Sequence, residues 1–158
     1  MLIEFRFKNY RSFRDEAVLS MEAVGLSSFK KSLIEQNKMK LLPGAAIYGK
    51  NGGGKSNVIR AFWLGVQFIR NAQRIQHEKA SVPVVPFLLD DYSANNPTEF
   101  AFDYIADGIK YWYSFEATKE KIIRESLYHA PKGQKALVFS REQQKFNFTE
   151  DKARRQLI

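Results

Sequence analysis

The 158-residue chain has no cysteine, which excludes disulfides and thiolate metal sites and fits a reducing cytoplasm. Histidine is nearly absent as well. His77 and His129 lie far apart in sequence and make a poor metal pair. No apolar run approaches the length of a membrane span. Met1-Leu2-Ile3-Glu4 lacks the basic leader and unbroken apolar stretch of a signal peptide. A cytoplasmic protein without a membrane partner is therefore expected. No G-x-S-x-G nucleophile elbow, internal repeat or low-complexity linker is present.

What is present is one domain's worth of residues, 44 % of them hydrophobic, enough to fill a core. The net charge is +8 and uneven. Residues 1–50 carry nine Lys/Arg against five Asp/Glu, residues 51–120 seven against eight, and residues 121–158 nine against four. Basic ends of this kind either meet nucleic acid or an acidic partner, or form ordinary solvated surface.

The most informative stretch is Gly49-Lys50-Asn51-Gly52-Gly53-Gly54-Lys55-Ser56, which fits the phosphate-loop pattern G-x-x-x-x-G-K-[ST]. Ala45 to Tyr48 before it reads as a short buried strand. Asn57 to Phe62 after it begins a helical pattern. Strand, loop and helix in this order are the context the motif needs. The chemistry follows from the residue types. Glycines reach positive φ and let N–H groups approach an anion. The N–H groups of Asn51, Gly52, Gly53, Gly54, Lys55, Ser56 and Asn57 would form the cradle, helped by the helix N-terminus. The Lys55 ammonium reaches the outer phosphates, and the Ser56 hydroxyl is placed to bind Mg²⁺. ATP and Mg²⁺ are the expected cofactors.

Elsewhere the pattern is mainly strands. Ile3, Phe5 and Phe7 alternate with Glu4, Arg6 and Lys8, and Glu16 to Ala23 reads as a partner strand. Asn9 to Ser12 looks like a turn or a strand end. Residues 25–42 read as a loop with at most a short helix. Val58, Phe62, Val66 and Ile69 mark the buried side of a long helix ending near His77. Arg60, Gln67, Arg70 and Arg74 form its polar stripe. Asp107-Gly108 predicts a hairpin between two alternating, aromatic-rich strands. Ile122–Tyr128, Ala136–Ser140 and Lys145–Phe148 continue the meander. Its aromatics suit cross-strand packing, the commoner use, as well as base stacking. Asp151 to Ile158, with Arg154 and Arg155 on a polar side, reads as the start of a helix, so a fragment of a longer chain is expected.

A phosphate-loop hydrolase normally adds an acidic strand end. The one candidate is Asp90, after Val84-Val85-Pro86-Phe87-Leu88-Leu89. Pro83 and Pro86 speak against a central strand there, and a proline-punctuated loop is the competing reading.

The opening Met1 to Phe13, with its Asn9-Tyr10-Arg11-Ser12-Phe13 segment, resembles ATPases related to the SMC, RecF and OLD families. The loop form Gly49-x-Asn51-Gly52-x-Gly54-Lys55-Ser56-Asn57 is also common in that group. Pro86-Phe87, Pro97 to Phe100 and the Asp107-Gly108 hairpin resemble a bacterial branch of ABC-like AAA-type ATPases linked to abortive infection and phage defence. The resemblance implies an α/β fold with α+β character: a P-loop NTPase half-domain of ABC-ATPase type, its strand–loop–helix packed on mainly antiparallel strands. Residues 1–158 would be the N-terminal lobe of a head whose second lobe carries the signature motif. It implies an ATP-sandwiched homodimer that hydrolyses ATP, with nucleic acid or an effector nuclease as further partners. It also implies that Arg11 sits near the phosphates and that Gln73 or Gln76 senses Mg²⁺. The alternatives are a complete small P-loop protein using Asp90, or a non-catalytic interaction module.

Overall fold

A computed structural model describes residues 1–25, 30–78 and 82–149, with side chains described except at 30 and 71–78. The expected helix start at 151–158, with Arg154 and Arg155, lies outside the described residues.

One antiparallel sheet dominates. Its strands are β1 (Leu2–Lys8), β2 (Ala17–Ser20), β5 (Thr98–Ala106), β6 (Ile109–Ala117), β7 (Ile122–Ala130), β8 (Ala136–Glu142) and β9 (Lys145–Phe148), in the order β2-β1-β5-β6-β7-β8-β9. From β5 onward the chain runs as a meander, as the alternation predicts. The β5–β6 turn is tight because Asp107 and Gly108 both adopt positive φ, 49° and 74°.

Register builds the core. Phe5 faces Phe102, Phe7 faces Phe100, and Phe100 faces Phe115. These side chains share one face because they sit two residues apart on each strand. Helix α1 (Lys55–Glu78) lies on that face through Ala61, Leu64 and Phe68. Phe68 stacks on Phe115 with centroids 4.0 Å apart, and Phe5 lies 4.7 Å from Phe102. The approach is closest at Gly65, where an added Cβ would fall 2.4 Å from the Phe102 ring. Val58, Phe62 and Val66 pack at the margin of this core, as the periodicity predicts, but Ile69 is exposed. The stripe that faces the sheet is Ala61–Leu64–Phe68, rotated from the one predicted. Ile59 and Trp63 also face solvent.

The other face of the sheet is charged near β1. Arg6 pairs with Asp103 at 3.0 Å and with Glu4 at 3.2 Å, and Lys8 pairs with Glu99 at 3.2 Å. A bulge between Leu2 and Glu4 turns Ile3 out of the main core. It joins Leu41 and Ile105 in a second small cluster.

Two further expectations need correction. Residues 25–42 are not merely a loop. After a short 3-10 turn (Lys30–Ser32) they form a hairpin of β3 (Ile34–Gln36) and β4 (Met39–Leu41). The turn residues Asn37 and Lys38 both take positive φ, 48° and 64°. With lysine rather than glycine in second place, the turn signal is weak in the sequence. Ala45–Tyr48, in turn, is not a buried strand. It is unpaired among the described residues, and Tyr48 is 90 % exposed. The backbone N–H and C=O groups of a buried strand need partners, and no described strand pairs with this segment.

Candidate functional site

The phosphate loop links Ala45–Tyr48 to α1, and Lys55 is the first helical residue. Gly52 and Gly54 adopt φ of 80° and 86°, which the motif's glycines allow without strain. Gly54 is also held from behind: an added Cβ would lie 3.0 Å from the Phe13 ring and 3.4 Å from Ser12 Oγ. A turn forms as the Gly53 N–H donates to the Lys50 carbonyl at 3.1 Å. The Gly54 carbonyl accepts from the N–H groups of Asn57 and Val58 and closes the first turn of α1. No described acceptor takes the N–H of Asn51, Gly52 or Gly54. Lys55 and Ser56 open the helix, where N–H groups have no intrahelical acceptor.

The Lys55 ammonium folds back over its own loop. Nζ donates to the Gly49 carbonyl at 2.6 Å and to the Lys50 carbonyl at 2.7 Å. Ser56 is exposed on the first turn. Asn57 Nδ2 donates to Ser12 Oγ at 2.9 Å, so the loop and the Asn9–Phe13 turn are joined. The family-like Asn9–Phe13 segment marks Ser12 and Phe13 in the sequence; the structure adds that this turn, far away in sequence, abuts Gly54 and Asn57.

Arg11 lies in that turn, exposed, with φ of 50°. Its N–H donates to the Val85 carbonyl at 2.8 Å, and its Nε donates to the Tyr10 hydroxyl at 3.2 Å. It is next in sequence to Ser12, but its described contacts are to Tyr10 and Val85 rather than to the loop. Gln73 and Gln76 fall on α1, with side chains outside the described set. His129 is half-buried on β7, its ring 6.1 Å from that of Tyr111. No group of three or more metal-ligating side chains occurs among the described residues.

Asp90 follows an irregular segment, 82–89, that forms no strand. Asp90 is the N-cap of the short helix α2 (Asp91–Ala94), where Oδ1 accepts from the Ser93 N–H at 2.7 Å. This bond, joined by Coulombic attraction from Arg14, holds its pKa below the usual carboxylate value. The helix-capping role explains the polar end of the proline-punctuated segment. The other oxygen, Oδ2, is shielded from water and has no partner among the described residues. Two concavities, of about 600 and 650 Å³, lie on the charged sheet face and beside α2. Neither is lined by phosphate-loop residues.

The family described as "AAA domain, putative AbiEii toxin, Type IV TA system" matches residues 45–158, a span that opens just before the loop and takes in the helix and the meander. The chain belongs to this family. AbiEii-type AAA membership makes it a P-loop ATPase-type, nucleotide-binding domain. No curated protein matches the chain. No helix among the described residues is long and apolar enough to cross a membrane.

Proposed function

We propose that this chain is the ATP-binding lobe of an ABC-like ATPase, with the phosphates of ATP·Mg²⁺ held by the loop from Asn51 to Asn57. One observation carries the reading: the N–H groups of Asn51, Gly52 and Gly54 lack described acceptors beside a lysine satisfied only by its own loop. This donor set fits a polyphosphate. Bound ATP would supply the phosphoanhydride whose cleavage drives such enzymes. The loop N–H groups would then bind phosphate oxygens, and Lys55 would exchange two carbonyls for them. Ser56 would be the protein's Mg²⁺ contact. The Ser12–Asn57 bond would fix the helix start beneath the phosphates.

The finer features belong to the same proposal. Two copies would sandwich ATP, each completing the other's site, and the whole would act in abortive infection or toxin–antitoxin defence, in keeping with the family's description. Nucleic acid and an effector nuclease are the proposed further partners. The basic stretch at residues 121–158 supports a phosphate-binding surface there. Within it, Lys135 Nζ lies 4.9 Å from the Trp112 ring centre and 4.6 Å from that of Tyr128.

Turnover separates this reading from a complete small P-loop protein, for which the unpartnered Asp90 Oδ2 is the supporting observation. The 158-residue chain is expected to hydrolyse ATP at background rate, because hydrolysis needs a carboxylate to orient water and charge from a partner motif. Phosphate release well above background, lost in Asp90→Ala, would assign the activity to this chain alone.

A further inference from the structure

The Asn9–Phe13 turn is fastened at both ends, and only one end touches the phosphate loop. At the other end Asn9 is buried and adopts φ of 53°, a conformation asparagine tolerates better than most residues. Its Nδ2 donates toward the carbonyls of Ser93, Asn96 and Pro97, at 2.8, 2.9 and 3.1 Å. Its Oδ1 accepts from the Phe87 N–H at 2.9 Å. Its own carbonyl accepts from Thr98 Oγ1 at 2.8 Å, and its N–H donates to the Arg14 carbonyl at 3.2 Å. The side chain thus ties the turn to segment 82–89, to α2 and to the Asn96–Pro97 link, while the backbone carbonyl ties it to the start of β5. Both N–H groups of the amide are used, and its oxygen is engaged.

Three residues on, the same turn meets the phosphate loop. Ser12 Oγ accepts from Asn57 Nδ2, and the Phe13 ring fills the space behind Gly54. The turn is internally rigid: Tyr10 and Phe13 exchange both backbone hydrogen bonds, at 2.8 and 2.9 Å. These bonds are the link by which a displacement at Asn9 would reach Ser12 and Phe13. The geometry points to Asn9 as a positioning residue for the phosphate loop, acting through the Ser12–Asn57 bond and the Phe13–Gly54 contact. This rests on the phosphate-loop reading above. The account has a chemical consequence. Aspartate, though isosteric, cannot replace Asn9, because a carboxylate would face three carbonyl oxygens in place of an amide donor. Glycine keeps the positive φ without strain and removes only the side chain.

The test is a double-mutant cycle on ATP·Mg²⁺ affinity in the full chain, measured by calorimetry well below the melting temperature of every variant. Asn9→Gly is the lead variant, with Asn9→Asp as the charged comparison. Loss of one positioning contact is expected to weaken binding roughly tenfold, the scale of about one hydrogen bond. Ser12→Ala is expected to weaken it less. If Asn9 acts through Ser12, the pair Asn9→Gly/Ser12→Ala binds no worse than Asn9→Gly alone, because coupled sites are not additive. A merely structural Asn9 would lower the melting temperature yet leave the affinity of the folded fraction unchanged, and that result overturns the inference. So do fold-losses that multiply in the double variant. Lys55→Ala in the same series separates the two levels. If it binds like the wild type, the phosphate-loop reading has failed. If it loses binding while Asn9→Gly keeps wild-type affinity, only the role of Asn9 has failed.

Discussion

Lys55→Ala is expected to remove measurable ATP·Mg²⁺ binding, a loss of about 100-fold or more, while the chain stays folded. Charge-assisted hydrogen bonds are the strong ones, and two such bonds to phosphate account for a loss of that size. Among the described residues Lys55 bonds only to the exposed carbonyls of Gly49 and Lys50, so the alanine leaves no described buried group unpaired. The helix beyond it is anchored elsewhere, through Ala61, Leu64 and Phe68. Titration calorimetry with circular dichroism on the same samples checks both halves. Asp90→Ala is the control: a carboxylate engaged in capping α2 should not alter affinity. Equal affinity for wild type and Lys55→Ala would sink the assignment of the loop.

The second large effect concerns stability. Glu125 and Arg141 face each other across β7 and β8 and are both buried, with 3.5 Å between Oε2 and Nη1. Tyr113 donates its hydroxyl to Glu125 Oε1 at 2.6 Å. Burial and the adjacent carboxylate raise the Tyr113 pKa far above its ordinary value, so the phenol remains a donor across the accessible pH range. Arg141 Nε donates to the Gln143 carbonyl at 2.7 Å, and the guanidinium lies 5.1 Å from the Phe146 ring centre. Glu125→Leu would leave that cation buried without its anion. Breaking a buried pair from one side costs about 3–5 kcal/mol. At about 2–4 °C per kcal/mol for a chain of this size, the melting temperature should fall by roughly 6–20 °C. Replacing the whole set, Glu125→Leu with Arg141→Met and Tyr113→Phe, should recover most of the loss, because no buried polar group is stranded. A single variant that melts like the wild type, or a triple that melts lower than the single, would contradict this.

Much of the sheet was legible because it rests on short-range rules. Two-residue alternation identifies β1, β5 and β6, Asp107-Gly108 fixes one register, and the Pro131-Lys132-Gly133 turn separates the further strands β7 and β8. The elements that escaped were set by distant contacts or by weak local chemistry. The β3–β4 hairpin turns on Asn37-Lys38, a poorer positive-φ signal than Asn-Gly. The face of α1 was misjudged at Ile69 because the choice between apolar stripes is made by the sheet. Gly65, against Phe102, lets the helix approach on the Ala61–Leu64–Phe68 side. Ala45–Tyr48 has the composition of a buried strand without described neighbours to make it one. Within the site, the loop residues are readable from their spacing alone. The contacts of Asn9, Ser12 and Phe13 span a distance in sequence that no local pattern covers. Asp90 shows the limit of such a pattern: the apolar run before it left a metal ligand and a proline-punctuated loop both open, and the loop leads to a helix that one of its oxygens caps.

The central claim is that the Asn51–Asn57 loop binds the phosphates of a nucleotide. The most direct measurement is titration calorimetry of the wild-type chain with ATP and, in parallel, with adenosine, both in Mg²⁺ buffer. The account expects saturable binding of ATP at one site per chain and no detectable binding of adenosine, since the proposed contacts of the loop are all to phosphate. Equal affinity for the two, or no binding of ATP, would contradict it.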